Sequence, residues 1–157
     1  RDNGVLSDYG VVAGNGIVCG NSVVSGKCVV CDYGIVRDNG LVLDNGSIYG
    51  NGIVCDKGVL RDNGVLSDYG VVAGNGIVSG EAEIRGDTIV RQLDDYILFK
   101  NTWSSGRYFT WTKSNNMWSV GCFYGTGEEL IKKAYEDSEE SGKKYESYVR
   151  LIEENFL

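Results

Sequence analysis

The stretch "RDNGVLSDYGVVAGNGIV" occupies residues 1–18 and recurs letter for letter at residues 61–78. A repeat of this kind is read before anything else, because period decides architecture. From Gly4 the chain divides into sixes: GVLSDY, GVVAGN, GIVCGN, SVVSGK and onward, fifteen hexads in all, ending at Leu93 without an insertion. The first position is Gly, Ser, Cys, Ala or Thr in every hexad and the third is Val, Leu or Ile in every hexad. The fifth is Asp or Gly in fourteen, with Gln92 the exception, and the sixth is most often Asn.

Six residues are too few for a helix pair but enough for one short strand and one corner. Alternate side chains of a strand share a face. The first and third positions therefore point inward together, and the second and fourth point outward. The fifth and sixth turn the corner, a role that Asp, Gly and Asn suit. The two identical stretches start sixty residues apart, which is ten hexads. The unit of copying is thus the hexad, and a hexad used without regard to position fits a scaffold better than a catalytic site.

The pattern, an aliphatic residue followed four places on by a small one as Leu6 is by Gly10, resembles the hexapeptide repeat of left-handed β-helix proteins, the scaffold of trimeric acyltransferases. That resemblance implies three hexads per triangular coil, so five coils over residues 4–93, in a prism about 24 Å tall at a strand spacing of ~4.8 Å. It also places the two identical stretches on different faces. Gly fills the inward small position where many members carry larger residues, so a thin interior is expected.

The second position faces outward yet is aliphatic in thirteen of fifteen hexads. Stacked, it forms three stripes: Val5, Val23, Leu41, Val59, Ile77; then Val11, Val29, Ser47, Val65, Glu83; then Ile17, Ile35, Ile53, Val71, Ile89. The second is interrupted by Ser47 and Glu83. The third is unbroken and is the candidate interface of a homo-oligomer, a trimer or dimer, since continuous apolar stripes mark surfaces that meet something. The Asp residues of the fifth position, with Asp44 under Asp62 and Asp38 under Asp56, read as solvated corners.

Composition narrows the functional classes. The chain has 157 residues, net charge −7, no His and no Pro. The acidic balance argues against nucleic-acid binding, and no apolar run reaches the ~18–20 residues of a membrane span. The acyltransferases that resemble this scaffold work through a His general base, and the γ-class carbonic anhydrases bind metal through His. Neither site has a position here, so no enzyme activity, cofactor or metal is expected. Five Cys, including the C-x-x-C of Cys28 and Cys31, lack a second ligand pair for zinc. They read as reduced thiols of a cytoplasmic protein.

At residue 94 the period stops, and all three Trp and all four Phe lie beyond it. This divides the chain into a β-helix, 1–93, and an α+β C-terminal domain, 94–157. "YILFKNTW" and "RYFTWTKS" read as strands joined at Ser104–Gly106, and "MWSVGCFYG" as a third. "TGEELIKKAYEDSEES" opens a helix with Thr126 and Glu129 as a capping box. Gly142 is expected to end it, and a second helix carries Tyr145, Tyr148, Val149, Ile152 and Phe156 at helical spacing. Trp103, Tyr108, Trp111 and Trp118 are candidates for a partner-binding platform. The segment "GCFYGTGEEL", carried by Gly121, Cys122, Phe123, Gly125, Glu129 and Leu130, resembles one that closes repeat arrays in phage and prophage proteins. The expected function is a non-enzymatic phage-type scaffold or interaction protein inside a bacterial host, with a host protein as a second partner class. The alternatives are an anti-defence inhibitor acting by acidic mimicry or by blocking a host protein, and a degenerate hexapeptide acyltransferase.

Overall fold

The computed structural model describes residues 3–157. Fifteen two-residue strands, β1 at Val5–Leu6 and then one every six residues to β15 at Ile89–Val90, build three five-stranded parallel sheets. The sheets begin with the strands at Val5, Val11 and Ile17, and each strand pairs with the one eighteen residues on, as Val59 does with Ile77 and Ile53 with Val71. The solenoid has five coils. The duplicated stretches indeed face different ways, because Val5 stands in the first sheet and Val65 in the second.

The alternation follows the sequence. Third-position side chains from Val24 to Val90 are wholly buried, while the second position in the same coils is half-buried on the outside except at the exposed Glu83. The interior is not thin. Ile48 and Leu66 reach across it so far that a Cβ on Gly52 would meet their side chains at 2.9 and 3.1 Å. Glycine at such first positions is the complement of a large third-position neighbour, while at Gly58 and Gly76 a Cβ would meet the backbone carbonyl of Val72 or Val90, and density is kept as in other protein cores.

The corner sits on the fifth position alone. Seven Asp residues there have φ between 53° and 59°, as Asp56 and Asp44 show, and the seven Gly residues at this position are also left-handed. The corner Asp residues face solvent, all exposed except the half-buried Asp38, and most of their carboxylates also hold the next coil. The backbone N–H groups of Gly50, Gly74, Gly80 and Gly86 donate to Oδ2 of Asp32, Asp56, Asp62 and Asp68 at 3.0, 3.0, 3.0 and 3.1 Å. Asp56 and Asp62 donate likewise to Asp38 and Asp44 at 3.4 and 3.3 Å. The sheets leave the corner N–H without a carbonyl, and the carboxylate one coil below supplies the acceptor, which completes the local backbone pairing.

After a single 3-10 turn at Leu93–Asp95, four antiparallel strands follow: β16 Tyr96–Lys100, β17 Tyr108–Thr112, β18 Met117–Val120 and β19 Phe123–Gly125. The stretch "MWSVGCFYG" is thus a hairpin and not one strand, because the chain reverses at Gly121, whose φ is 54°. Two helices follow, α1 Gly127–Asp137 and α2 Glu139–Phe156, and the Thr126–Glu129 capping box is formed. The helix break lies at Ser138, extended at φ −168°, whose side chain then caps α2. Gly142 lies inside α2, where any Cβ would collide with the Tyr135 ring. It is a contact residue between the helices and not a terminator.

The fold makes hexads interchangeable, and deletions test this. Removing Gly40–Asn45 joins Asn39 to Gly46 and rotates the upstream array by one face while keeping every inward residue inward. We expect cooperative thermal unfolding within several degrees of the parent by circular dichroism. Removing only Gly40–Val42 inverts the alternation upstream and should abolish cooperative unfolding of the array. Equal effects of the two deletions would contradict the hexad register.

Candidate functional surfaces

The tail closes the fifth coil. In earlier coils the N–H of a second- or fourth-position residue donates to the carbonyl seventeen residues on, as Val29 does to Gly46 at 3.1 Å and Cys31 to Ile48 at 3.0 Å. In the last coil no further coil exists, and side chains of the tail take its place. Ser79 donates to the Tyr96 hydroxyl at 3.2 Å and Glu83 to Thr110 Oγ1 at 3.3 Å. Ile89 donates to Ser114 Oγ at 2.9 Å and Arg91 to Asp95 Oδ2 at 2.6 Å. Tyr96 and Leu98 pack against the solenoid core, while Ile97 and Phe99 from the same strand turn toward the helices. An open parallel edge invites pairing with other chains, and at this end the tail covers it.

Arg85 is the main rivet. Its guanidinium donates to Ser119 Oγ at 2.8 Å and to the carbonyls of Gly121 and Phe123 at 2.7 and 2.9 Å. It also lies over the Tyr124 ring, 5.5 Å from the centroid. Tyr124 in turn donates to the Arg85 carbonyl at 3.3 Å and accepts from Asn115, which also donates to Asp87. Burial pushes the Tyr124 phenol above its ordinary range, so it stays a neutral donor.

The four aromatic candidates of the tail do not form a platform. Trp111 and Trp118 are buried to 0% and 1% exposure in the layer between sheet and helices. Trp103 is half-buried, stacked on Tyr148 with its centroid at 6.0 Å and donating to Ser141. Only Tyr108 is exposed, with Lys100 over its ring. The physical reason is that the sheet is covered on both sides. Thr110, Thr112 and Ser119 are buried beside the coil, and the alternate residues Phe109, Trp111 and Trp118 fill the core under the helices.

The walls of the solenoid are the broad remaining surfaces. On the third wall Ile35, Ile53, Val71 and Ile89 are half-buried by their own stacking, and Ile17 is 48% exposed. The fourth-position residues beside them are small in the middle coils, and Cys55 and Ala73 are buried at 5% exposure each. The Arg37 head is drawn to Asp38 at 3.1 Å. Arg37 in coil two and Arg91 in coil five flank the small Cys55 and Ala73 along the column. On the second wall Glu83 stands beside Arg85 under the tail.

The cysteines do not meet. Cys28 points inward and donates to the Ser25 carbonyl at 3.0 Å, whereas Cys31, a fourth-position residue, points outward. All five thiols are free, and burial raises those of Cys28 and Cys55 above the ordinary thiol range. Asp38, Cys55 and Asp56 bring donor atoms within 4.8 Å of one another, but each of the two carboxylates already accepts a backbone N–H from the next coil. A cleft of about 300 Å³ opens in the tail, lined by Arg107, Cys122, Lys133, Asp137, Ser141 and Tyr145. With no imidazole in the chain, the Cys122 thiol has none of the usual base for activation. Among the described residues no helix is long and apolar enough to cross a membrane. No family model, curated protein or solved structure matches this chain.

The docking of the tail gives a stability prediction. Arg85→Met keeps the stem and removes the hydrogen bonds to Ser119, Gly121 and Phe123. Bonds from a charged donor contribute ~1.5–3 kcal/mol each and are not additive, so we expect a loss of about 2–4 kcal/mol in urea unfolding. Tyrosine and tryptophan fluorescence of the tail should change before the β-sheet circular dichroism is lost. A loss below about 0.5 kcal/mol, the range of ordinary surface substitutions, would show that the tail is held by other contacts.

Proposed function

We propose that this protein is a non-catalytic scaffold, a rigid capped prism that joins to other proteins through its flat walls and assembles with copies of itself as a trimer or dimer. The observation that carries this reading is the third wall. Five stacked aliphatic residues, Ile17, Ile35, Ile53, Val71 and Ile89, run the length of the solenoid, and small residues lie beside them in the middle coils. A continuous apolar strip of this kind is buried in most proteins that carry one, and contact between identical copies usually closes into a symmetric ring.

Two further features support a scaffold. The same eighteen residues serve on two different walls, so side-chain identity follows the needs of the coil and not those of a reaction. The corner carboxylates are engaged with backbone, and Gly interrupts every corner column, which makes acidic mimicry of a nucleic acid the weaker branch of an inhibitor reading. The acyltransferase reading has no histidine to act as base. The phage or prophage setting, with work inside a bacterial host and a host protein as second partner, rests on the resemblance of the segment Gly121–Leu130.

Sedimentation tests this directly. We expect a dimer or trimer at tens of micromolar concentration, and Ile35→Lys combined with Ile53→Lys should give monomer with unchanged β-sheet circular dichroism. A wild-type monomer, or a double variant that stays assembled, would remove the third wall as the interface.

A further inference from the structure

Four tyrosines stand in the repeat array, and all are exposed: Tyr9 at 78%, Tyr33 at 60%, Tyr49 at 39% and Tyr69 at 67%. Three of them belong to hexads of the second sheet in successive coils, those of the strands Val29–Val30, Ser47–Ile48 and Val65–Leu66. Tyr33 and Tyr69 share one corner column, which reads Asn15, Tyr33, Asn51, Tyr69, Asp87. Tyr49 projects from the wall beside that column, in the coil between them. With ~4.8 Å per coil, Tyr33 and Tyr69 are about 9.6 Å apart along the axis. None of the three takes part in the aromatic pairs of the described residues, which all lie in the tail. Large exposed rings without partners stand out on a solenoid whose other corner residues are mostly Asn, Asp or Gly.

We propose that this corner binds an extended, uncharged, β-linked polysaccharide, with sugar rings stacked on Tyr33, Tyr49 and Tyr69. The apolar face of a pyranose packs on an aromatic ring, whose amphipathic character suits a half-wet site. The polar groups stand where the sugar hydroxyls would fall. Asp32 and Asp68 immediately precede Tyr33 and Tyr69, and each commits Oδ2 to a backbone N–H, of Gly50 at 3.0 Å and Gly86 at 3.1 Å. That leaves Oδ1 of each to accept from a hydroxyl, and hydrogen bonds to an ionised acceptor are the strong ones. Asn51, between the two rings, offers both a donor and an acceptor.

Two considerations select this ligand. The surface repeats ring, amide, ring along a straight line, and two coils span about the length of one disaccharide in an extended chain of the cellulose or chitin kind. A periodic polymer matches that spacing, whereas a folded protein partner has no need of it. Charge removes the other stacking polymer. Single-stranded nucleic acid needs a basic groove along its phosphates, whereas this column ends in Asp87 and is flanked by Asp32 and Asp68, with the nearby Arg85 engaged by the tail. The corners are fixed by backbone, so binding has to order the ring torsions but not the chain that carries them.

Titration calorimetry with cellohexaose and chitohexaose tests the proposal, with cellobiose and chitobiose as short probes and maltohexaose as a coiled control. We expect one of the β-linked hexasaccharides to bind, its disaccharide to bind much more weakly, and maltohexaose to give no heat. Tyr33→Ala and Tyr69→Ala should each weaken binding about tenfold, the size of one stacking contact, while Tyr9→Ala on another corner leaves it unchanged. The proposal is overturned by the absence of binding of both hexasaccharides at millimolar concentration, or by equal losses in the Tyr9 and Tyr69 variants. It is also overturned if Tyr33→Ala and Tyr69→Ala dissociate an oligomer in sedimentation while no saccharide binds, since the corner is then a protein contact. Because that outcome reads at the second wall, it is separable from failure of the third-wall interface.

Discussion

The solenoid depends on one backbone constraint, a left-handed residue at the fifth position of each of the first fourteen hexads. An L-residue there costs roughly 1–2 kcal/mol, Gly costs little, and Asp is among the few side chains that visit the region. Fourteen successive corners satisfy it with these two residues alone. Each turn redirects the chain, so the next pair of residues joins the next sheet and the third corner returns the strand beneath its copy eighteen residues on. Asp adds a second contribution at the same site. Its carboxylate accepts the corner N–H of the coil above, which no sheet carbonyl reaches. Local conformation and coil-to-coil cohesion therefore meet in one residue.

From this constraint the surfaces follow. With corners set by backbone, the walls need only β-branched residues outside and a Gly–aliphatic pair inside, and any hexad can serve on any wall. Function on such a frame is written by exceptions to the pattern. Small fourth-position residues flatten the third wall, tyrosines mark one corner of the second, and Arg85 anchors the tail. The tail itself behaves as a substitute sixth coil. Its sheet turns Thr110, Thr112 and Ser119 toward the array and its indoles toward the helices, so polar and apolar faces of four short strands join two cores.

The solenoid was legible in the sequence because a six-residue period states the inward and outward positions outright, and the coil number and different placement of the duplicated stretches follow from counting. The corner role of Asp was half legible. Its conformational tolerance is local, but its partner lies eighteen residues away and one coil up, and no local pattern announces that bond. The tail was harder. Trp111 and Trp118 were candidates for a binding surface as aromatics of a small domain, but the sheet is covered on both faces and its core takes them. Gly142 suggested a helix end, whereas Ser138 is the cap and Gly142 is needed for the Tyr135 ring. The exposed tyrosine corner follows from the same eighteen-residue stacking as the stripes, since Tyr33 and Tyr69 fall in one column two coils apart, but the exposure of the rings is a property of the folded array.

The most direct test of the left-handed corner is the stability of Asp62→Gly against Asp62→Ala. Asp62 has φ 55° and accepts from Gly80 at 3.0 Å, so both variants lose the carboxylate and only Gly keeps the conformation at no cost. At an ordinary position Ala is the more stabilising of the two, by ~0.4–1 kcal/mol. Here urea unfolding should show the reverse, with Asp62→Ala less stable than Asp62→Gly by about 1 kcal/mol or more. An Ala variant as stable as the Gly variant, or more so, would contradict the account.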